Sequence, residues 1–404
     1  MNEKKKIAVI GTVGLPANYG GFETLVHHLV KNMGSHYDLT VYCSGKRYPK
    51  SERKKFHDRA KLHYIPFDAN GIQSIPYDTW SILHALKYAD VLLILGVAGA
   101  WLLPFVRLFT NKKIVISIDG IEWKRNKWNW MAKLYLWWAE GMAVRYSHID
   151  IADNESIQDY TAVRYQTLSR IVEYGADHTL QVAATSDDKQ AYPFLKGPYA
   201  FKVCRIEPEN NVHEVLKAFS ELPDYVLVLV GNWSKSEYGI QLREQYRGYS
   251  NILMLDPIYD QRALDLLRSN ALVYVHGHSA GGTNPSLVEA MSLGLPVLAF
   301  GVSYNKTTTE GSALYFNDAE SLRKLVRNTP VKNLMEIGRK MRRIAQRRYT
   351  WKLIATRYQA LVQEAIELKS KSAAAPRVSL LEEQVLLHHE ASHLRHAQLF
   401  YEQS

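Results

Sequence analysis

In SAGGTNPSLVEAMSLGLP, residues 279–296, two glycines and a threonine precede Asn284 and Pro285, and a single acid, Glu289, follows in an otherwise apolar run. Asn284 suits a helix N-cap and Pro285 a first helical position, because proline lacks only an N–H that has no intrahelical partner there. The spacing predicts a helix from Pro285 to about Gly294, which tolerates a left-handed stop. ALVYVH (271–276) reads as a buried strand before it and PVLAF (296–300) as the strand after, which makes a βαβ unit with its glycine loop at a strand's carboxyl end. Such a loop, backed by free N–H groups at Ser286 and Leu287, offers a place for an anion, most simply a phosphate. Glu289 lies one turn inside the helix on the face of Pro285. Helical side chains lean toward the N-terminus, so its carboxylate reaches a ribose diol next to that anion. An ordinary solvated helix acid would show the same spacing.

A second glycine loop follows the first strand, in GTVGLPANYGGFETLVHHLVKNM (11–33). Gly11 and Gly14 depart from the dinucleotide spacing G-x-G-x-x-G, which gives little support to a nicotinamide enzyme. Gly20 and Gly21 precede a helix beginning near Phe22, with Glu23 in its first turn. A ligand loop or a tight turn before a capped helix accounts for these glycines equally well locally, but two such loops, one per domain, are what a bridged substrate needs. Near the chain's end His389, Glu390 and His393 spell H-E-x-x-H, a zinc-protease pattern. His388 and His396 make that segment simply histidine-rich, and no room remains for a protease fold around it. We read residues 371–404 as a linker, KSAAAPR (371–377), and an amphipathic tail helix for self-association or membrane contact.

The elements that position these residues follow from pattern and length. At 404 residues, with 47% apolar and 22% charged residues, the chain is expected to fold as two domains. KIAVIG (6–11), DLTVYC (38–43), KLHYIPF (61–67), DVLLIL (90–95), KIVISI (113–118) and HIDIAD (148–153) read as strands with helical patterns between several of them. After the polar AATSDDKQ (183–190) the pattern restarts with YAFKVCRI (199–206), YVLVLVG (225–231) and NILMLD (251–256). An N-terminal domain over 1–182 and a C-terminal one over 183–348 are therefore expected, both α/β with mostly parallel sheets. The run 91–106 is too short and too rich in glycine and proline for a membrane span. Two distant cysteines, Cys43 and Cys204, and a start without a signal peptide point to a reduced, cytoplasmic setting. A formal charge of +10 calls for anionic partners: nucleic acid, membrane surface or phosphorylated substrates.

One stretch combines that charge with aromatics. In EWKRNKWNWMAKLYLWWAEGMAVRY (122–146), Trp123, Trp128, Trp130, Trp137 and Trp138 are interleaved with Lys124, Arg125, Lys127 and Lys133, a composition suited to anionic headgroups. At least half of these tryptophans are expected in the core. No RNA- or DNA-binding module frames them, so nucleic acid is not expected as a partner.

Together GTVGLPANYGGFETLV, DGIEWKRNKW, EYGAD, RIEPENN and HSAGGTNPSLVEAMSLGLPV resemble the bacterial rhamnosyltransferase branch of glycosyltransferase family 4, in one order across about residues 5–368. The resemblance implies a GT-B fold: two Rossmann-like domains facing a central cleft, with acceptor on the N-terminal one and nucleotide-sugar donor on the C-terminal one. It also implies a final helix, 349–370, that crosses back. Glu289 matches the second acid of the family's E-x7-E motif. The first acid falls at Gly281, leaving the N–H groups of Gly281, Gly282 and Thr283 to meet sugar or phosphate.

Arg205 matches the arginine that grips the diphosphate, a task that suits a guanidinium fork. A salt bridge to Glu207 or Glu209 is the competing role, and the lysine usual five residues later is Asn210. Asp119 stands where the wider family often has a histidine near the reacting sugar. It would orient and share the proton of a hydroxyl, or else cap the following turn; Glu122, Trp123 and Arg125 are acceptor-side candidates.

The donor set implied is Gly20, Gly21, Arg205, Gly281, Gly282, Thr283, Asn284, Ser286 and Glu289, and the catalytic set Asp119, Arg205 and Glu289. The expected activity is retaining transfer of L-rhamnose, as a β-1,4-rhamnosyltransferase, from dTDP-β-L-rhamnose to a polyprenyl-diphosphate-linked saccharide in surface polysaccharide assembly. The enzyme would work peripherally on the inner face of the plasma membrane, with a homo-oligomer possible through the tail helix. No D-x-D cluster is present, and no metal or other cofactor is expected. A nucleotide-sugar epimerase of the same architecture, a transferase using another nucleotide sugar and a non-catalytic sugar-nucleotide sensor are the alternatives.

Overall fold

Continuous apolar runs such as VLLIL and KIVIS, rich in β-branched residues, fit strands covered on both faces. The computed structural model describes residues 3–17, 20–125, 127–368, 382–388 and 391, and in it these runs form two sheets. The chain divides into one compact unit of residues 1–173 and 352 onward, and a second of 174–351.

The first unit holds β1 (Lys6–Ile10), β2 (Asp38–Ser44), β3 (Phe56–His57), β4 (Ala60–Ile65), β5 (Val91–Leu95), β6 (Lys113–Ser117), β7 (Ile149–Ala152) and β8 (Arg170–Ile171). Their order is β3-β4-β2-β1-β5-β6-β7-β8, and every pairing is parallel except β3 with β4. Helix Gly21–Met33 buries Leu25, Val26, Leu29, Val30 and Met33, the 3.6-residue stripe that a helix needs to cover a sheet. The described helices include none long and apolar enough to cross a membrane.

The second unit is a wholly parallel sheet of β9 (Tyr199–Val203), β10 (Val226–Val230), β11 (Ile252–Leu255), β12 (Val273–His276), β13 (Val297–Phe300) and β14 (Leu314–Phe316), ordered β11-β10-β9-β12-β13-β14. The strand order reverses between β9 and β12, and ligands of open α/β sheets bind beyond the carboxyl ends of the strands at such a point. The α/β class expected from the sequence, with two Rossmann-like halves, is the one observed. The short strands β3, β8 and β14 escaped sequence reading because two or three residues carry no periodicity.

The boundary expected after residue 182 falls instead after Glu173. The polar stretch that suggested it is a capped helix, Ser186–Ala191, inside the second unit. Residues 176–182 are already stitched there: Leu180 N–H donates to Asp265 Oδ2 at 2.9 Å and Asn270 Nδ2 to the Val182 carbonyl at 2.9 Å. Helix Trp351–Glu367 starts with Trp351 N–H on Asp177 Oδ1 at 2.7 Å, and its later residues count in the first unit. There Arg357 pairs with the buried Glu173, and Arg170 with Glu364 at 2.8 Å. Of the tail, helix Glu383–His388 is described, with Leu386 and Ala391 packed on Ala162 and Leu168. The linker 371–377 and His389, Glu390, His393 and His396 lie outside the described residues.

Candidate active site

Two loops meet at the second unit's switch point. The one after β9 carries Arg205 and the one after β12 carries Gly281 and Gly282, and they are tied together. Asn211 Nδ2 donates to the Gly277 carbonyl at 2.9 Å, and Ser279 donates through N–H and Oγ to the Glu209 carbonyl at 2.8 and 2.9 Å. Asn210, in the place of the expected lysine, spends its amide on the Arg205 carbonyl at 2.7 Å and holds the loop in shape. The Arg205 side chain is 41% exposed and its Nε stands 3.7 Å from Glu207 Oε2, a long contact that leaves the guanidinium fork open to an anion.

Gly281 has φ +124°, a conformation side chains rarely adopt, and an added Cβ there would face open space. Among the described residues no hydrogen bond engages the N–H of Gly281 or Gly282. The helix start is different from expectation. Asn284 Oδ1 accepts the Ser286 N–H at 3.1 Å and the Ser286 hydroxyl at 2.8 Å, and the Leu287 N–H turns to the Asn284 carbonyl at 3.0 Å. The cap that nucleates helix Pro285–Ser292 thus consumes the donors assigned to the anion, and the open N–H groups are those of the glycines. Ser286 also accepts from Tyr274 OH at 2.9 Å, and Thr283 is buried.

Glu289 is not a solvated acid. Arg268, 1% exposed, donates to Glu289 Oε2 at 2.6 Å and to the fully buried Asp265 at 2.9 Å. His178 Nε2 lies 3.3 Å from Glu289 Oε1. The Trp351 indole N–H, a donor only, lies 2.9 Å from His178 Nδ1; that nitrogen accepts, and the proton sits on Nε2, aimed at Glu289. Burial works to raise the Glu289 carboxyl's pKa, but Arg268 and the His178 hydrogen bond outweigh it and hold the group below its ordinary range. It is a carboxylate fixed in place, a second requirement for a diol binder.

Sequence reading missed Arg268, Asp265, His178 and Trp351, which lie far from Glu289 along the chain. It missed two buried groups at the same sheet edge as well. Lys202, at the end of β9, is wholly buried with no partner for Nζ among the described residues, and burial lowers its pKa. His276, at the end of β12, is wholly buried, neither ring nitrogen has a hydrogen-bond partner among the described residues, and its ring stacks on His278 at 4.3 Å. The visible signal was the H-G-H run at 276–278.

In the first unit Asp119 follows β6 with φ +58°, left-handed for a non-glycine residue. The next turn, Glu122–Lys124, has Ile121 at its N-cap, two residues beyond Asp119. Burial raises the pKa of the Tyr358 phenol, and the nearby charges of Asp153 and Asp119 push it further in the same direction. Glu122 is tied to Arg125 at 2.9 Å, Lys127 at 2.6 Å and the Trp128 indole at 3.0 Å. Burial would raise its pKa, yet Arg125 and Lys127 prevail and lower it. Glu122 and Arg125 therefore spend much of their charge on shaping their own loop. Trp123 donates to Tyr160 OH at 3.1 Å and lies under the Arg164 guanidinium.

Gly20 is required by packing: its φ is +134°, and a Cβ would fall 1.8 Å from Glu23 Oε2. Glu23 Oε1 meanwhile accepts the Val13 N–H at 2.7 Å and the Thr12 hydroxyl at 3.0 Å. Helix Gly21–Met33 thus starts by clamping its own loop, which accounts for Gly20 locally.

The expectation of core tryptophans is overturned. Trp130, Trp137 and Trp138 are exposed, Trp123 and Trp128 half-buried, and none of the five is buried. Helix Trp130–Tyr146 shows Trp130, Leu134, Trp137 and Trp138 to solvent, and the neighbouring helix Leu103–Phe109 adds Phe105, Leu108 and Phe109. These side chains lie on the surface of the first unit and not in its core.

Residues 185–329 match the family Glycosyl transferases group 1, and residues 4–177 match a domain of unknown function, DUF1972. No curated protein matches the chain by sequence. Its fold is similar to that of sucrose-phosphate synthase from Thermosynechococcus elongatus, with a TM-score of 0.73 at 16% identity over 89% of this chain and 99% of that one. Anabaena HepE in complex with UDP-glucose is similar at 0.67 and 15% identity over 89% and 99%. A glycosyltransferase from Rickettsia africae follows at 0.68 and 13% over 91% and 100%. The second unit thus matches glycosyltransferase group 1 over residues 185–329, and the fold is of GT-B type.

Proposed function

We propose, from a chain with a glycosyltransferase group 1 domain built on GT-B halves, that it moves L-rhamnose with retention from dTDP-β-L-rhamnose to a lipid-diphosphate-linked saccharide. The observation that carries this reading is the C-terminal switch point. There an open guanidinium, two unengaged glycine N–H groups and a fixed carboxylate line one sheet edge. The diphosphate sits against Arg205 and the N–H groups of Gly281 and Gly282, and the ribose on Glu289. HepE's complex with UDP-glucose supports a nucleotide sugar as the class of ligand.

The C1–O bond to the diphosphate breaks as the acceptor oxygen bonds to C1 on the same face, and the departing phosphate oxygen takes the acceptor's proton. Arg205 and the loop N–H groups stabilise the charge that grows on that oxygen. Asp119, on the N-terminal half, accepts a hydrogen bond from the acceptor hydroxyl and orients it. This scheme calls on no divalent metal. The exposed tryptophan stripe, with Lys124, Lys127 and Lys133 around it, lies on an anionic membrane surface where the lipid-linked acceptor resides.

The test is mass spectrometry of purified protein with a synthetic lipid-diphosphate-linked sugar and either dTDP-L-rhamnose or UDP-sugars. A product heavier by one deoxyhexose with the dTDP donor alone is expected. Transfer from a UDP-sugar would replace rhamnose in this assignment, and conversion of donor without acceptor would make the protein an epimerase.

A further inference from the structure

Away from the donor site, the first unit brings two histidines and an aspartate together. His27, on helix Gly21–Met33, places Nδ1 3.3 Å from Nε2 of His57, the last residue of β3. Asp58, which opens the two-residue turn into β4, places Oδ2 3.8 Å from the same His57 nitrogen, and one ligand atom from each of the three lies within 4.8 Å of the others.

We propose that His27, His57 and Asp58 form a binding site for a divalent transition-metal ion of the zinc class, which clips the β3–β4 hairpin to helix Gly21–Met33.

Distance supports a shared ion over a plain contact. Neighbouring ligands of a tetrahedral site with bonds of about 2.05 Å stand about 3.3 Å apart, the His27–His57 separation, whereas N–H donors commonly sit about 2.9–3.0 Å from their acceptors. Two imidazoles and a carboxylate are a donor set that suits zinc, and the half-exposed Asp58 leaves a fourth position for water. The local backbone is built for it. Asp58 has φ +48°, a conformation aspartate tolerates, which turns the chain directly after His57. Gly34, two turns beyond His27 on the same helix face, lets the hairpin tip approach: a Cβ there would stand 2.6 Å from Arg59 Cβ. Helix and hairpin therefore meet at two levels, at Gly34 by close packing and at His27 through the metal. The hairpin is the sheet's edge, where a short two-residue strand has little pairing of its own.

The test uses the full chain, stripped with a chelator and desalted, titrated with zinc against a chromophoric competitor. Wild type, His57→Gln, Asp58→Asn and a tail variant, His389→Gln/His393→Gln, are compared, since the tail histidines are the other source of zinc affinity. One zinc per chain is expected to persist in the tail variant and to weaken in Asp58→Asn and His57→Gln by at least the roughly 10- to 100-fold that losing an outer-shell partner costs. Zinc should raise the melting temperature of wild type but not of His57→Gln, and cobalt should give the visible bands of a four-coordinate site in wild type and the tail variant but not in His57→Gln. Asp58 lies on an exposed turn, so Asp58→Asn keeps the test open if His57→Gln does not fold. Zinc binding equal in His57→Gln and wild type, loss of all binding in the tail variant, or no binding by wild type overturns the site and leaves a histidine pair in simple contact.

Discussion

Replacing Glu289 by glutamine keeps its shape and removes its charge. Arg268, 1% exposed, bridges Glu289 at 2.6 Å and Asp265 at 2.9 Å. In Glu289→Gln the guanidinium keeps Asp265, so the loss is one charge-assisted hydrogen bond, about 1.5–3 kcal/mol. In Arg268→Met two carboxylates lose their common cation, and breaking a buried pair from one side costs about 3–5 kcal/mol. For a unit the size of 174–351, 1 kcal/mol moves the melting temperature by about 2–4 °C, so the expected falls are about 3–12 °C and about 6–20 °C.

The pH dependence has a definite sign. Folding lowers the Glu289 pKa, so its stabilisation is complete above the unfolded value of about 4.3 and is lost as pH falls through the lower folded value. Differential scanning calorimetry of wild type and both variants from pH 8 to 3 tests this, with donor kinetics alongside. The gap between wild type and Glu289→Gln should be constant at neutral pH and close in acid. The donor's kcat/KM should fall at least about 10-fold in the glutamine variant, the equivalent of the lost hydrogen bond. Equal melting at pH 7, or a gap that widens as pH falls, would refute the argument. A lowered melting point with unchanged donor kinetics would leave Glu289 as a structural acid.

Asp119→Gly relieves a left-handed backbone worth about 1 kcal/mol or more, so melting of the first unit should hold or rise while transfer falls by at least about 100-fold; retained activity removes Asp119 from the site. Lys202→Met should stabilise the second unit by about 1–3 kcal/mol, because it replaces a buried amine that has no described partner. With the wild-type lysine's pKa lowered by folding, the unfolded chain binds the extra proton, and stability should rise with pH up to about 10.4; destabilisation by Lys202→Met would mean that the amine serves a partner. Trp130→Ser with Leu134→Ser, both exposed, should change stability by about 0.5 kcal/mol or less per site yet cut cosedimentation with anionic vesicles several-fold, and unchanged sedimentation rules out this stripe as the membrane contact.

The sequence by itself determined the alternation of strands and helices, the glycine loop after ALVYVH, the start of the helix at Pro285 and the place of Glu289 one turn inside it. These follow from signals that act over a turn or two: apolar periodicity, a capping asparagine, a proline that fits only a first turn. What Glu289 touches was decided elsewhere. Arg268 and His178 reach it because separate crossings of the chain end at one sheet edge, and no local pattern reports such meetings. The same holds for the Ser286 N–H, whose donor the sequence reading left for an anion and the fold gives to Asn284. It holds for the tryptophans, whose composition suits a core or a surface alike until packing exposes Trp130, Trp137 and Trp138. His27 and His57 follow the same rule. Secondary structure is written within a few residues, whereas a site is a coincidence of side chains that only the closed sheet and its covering helices bring within bonding distance.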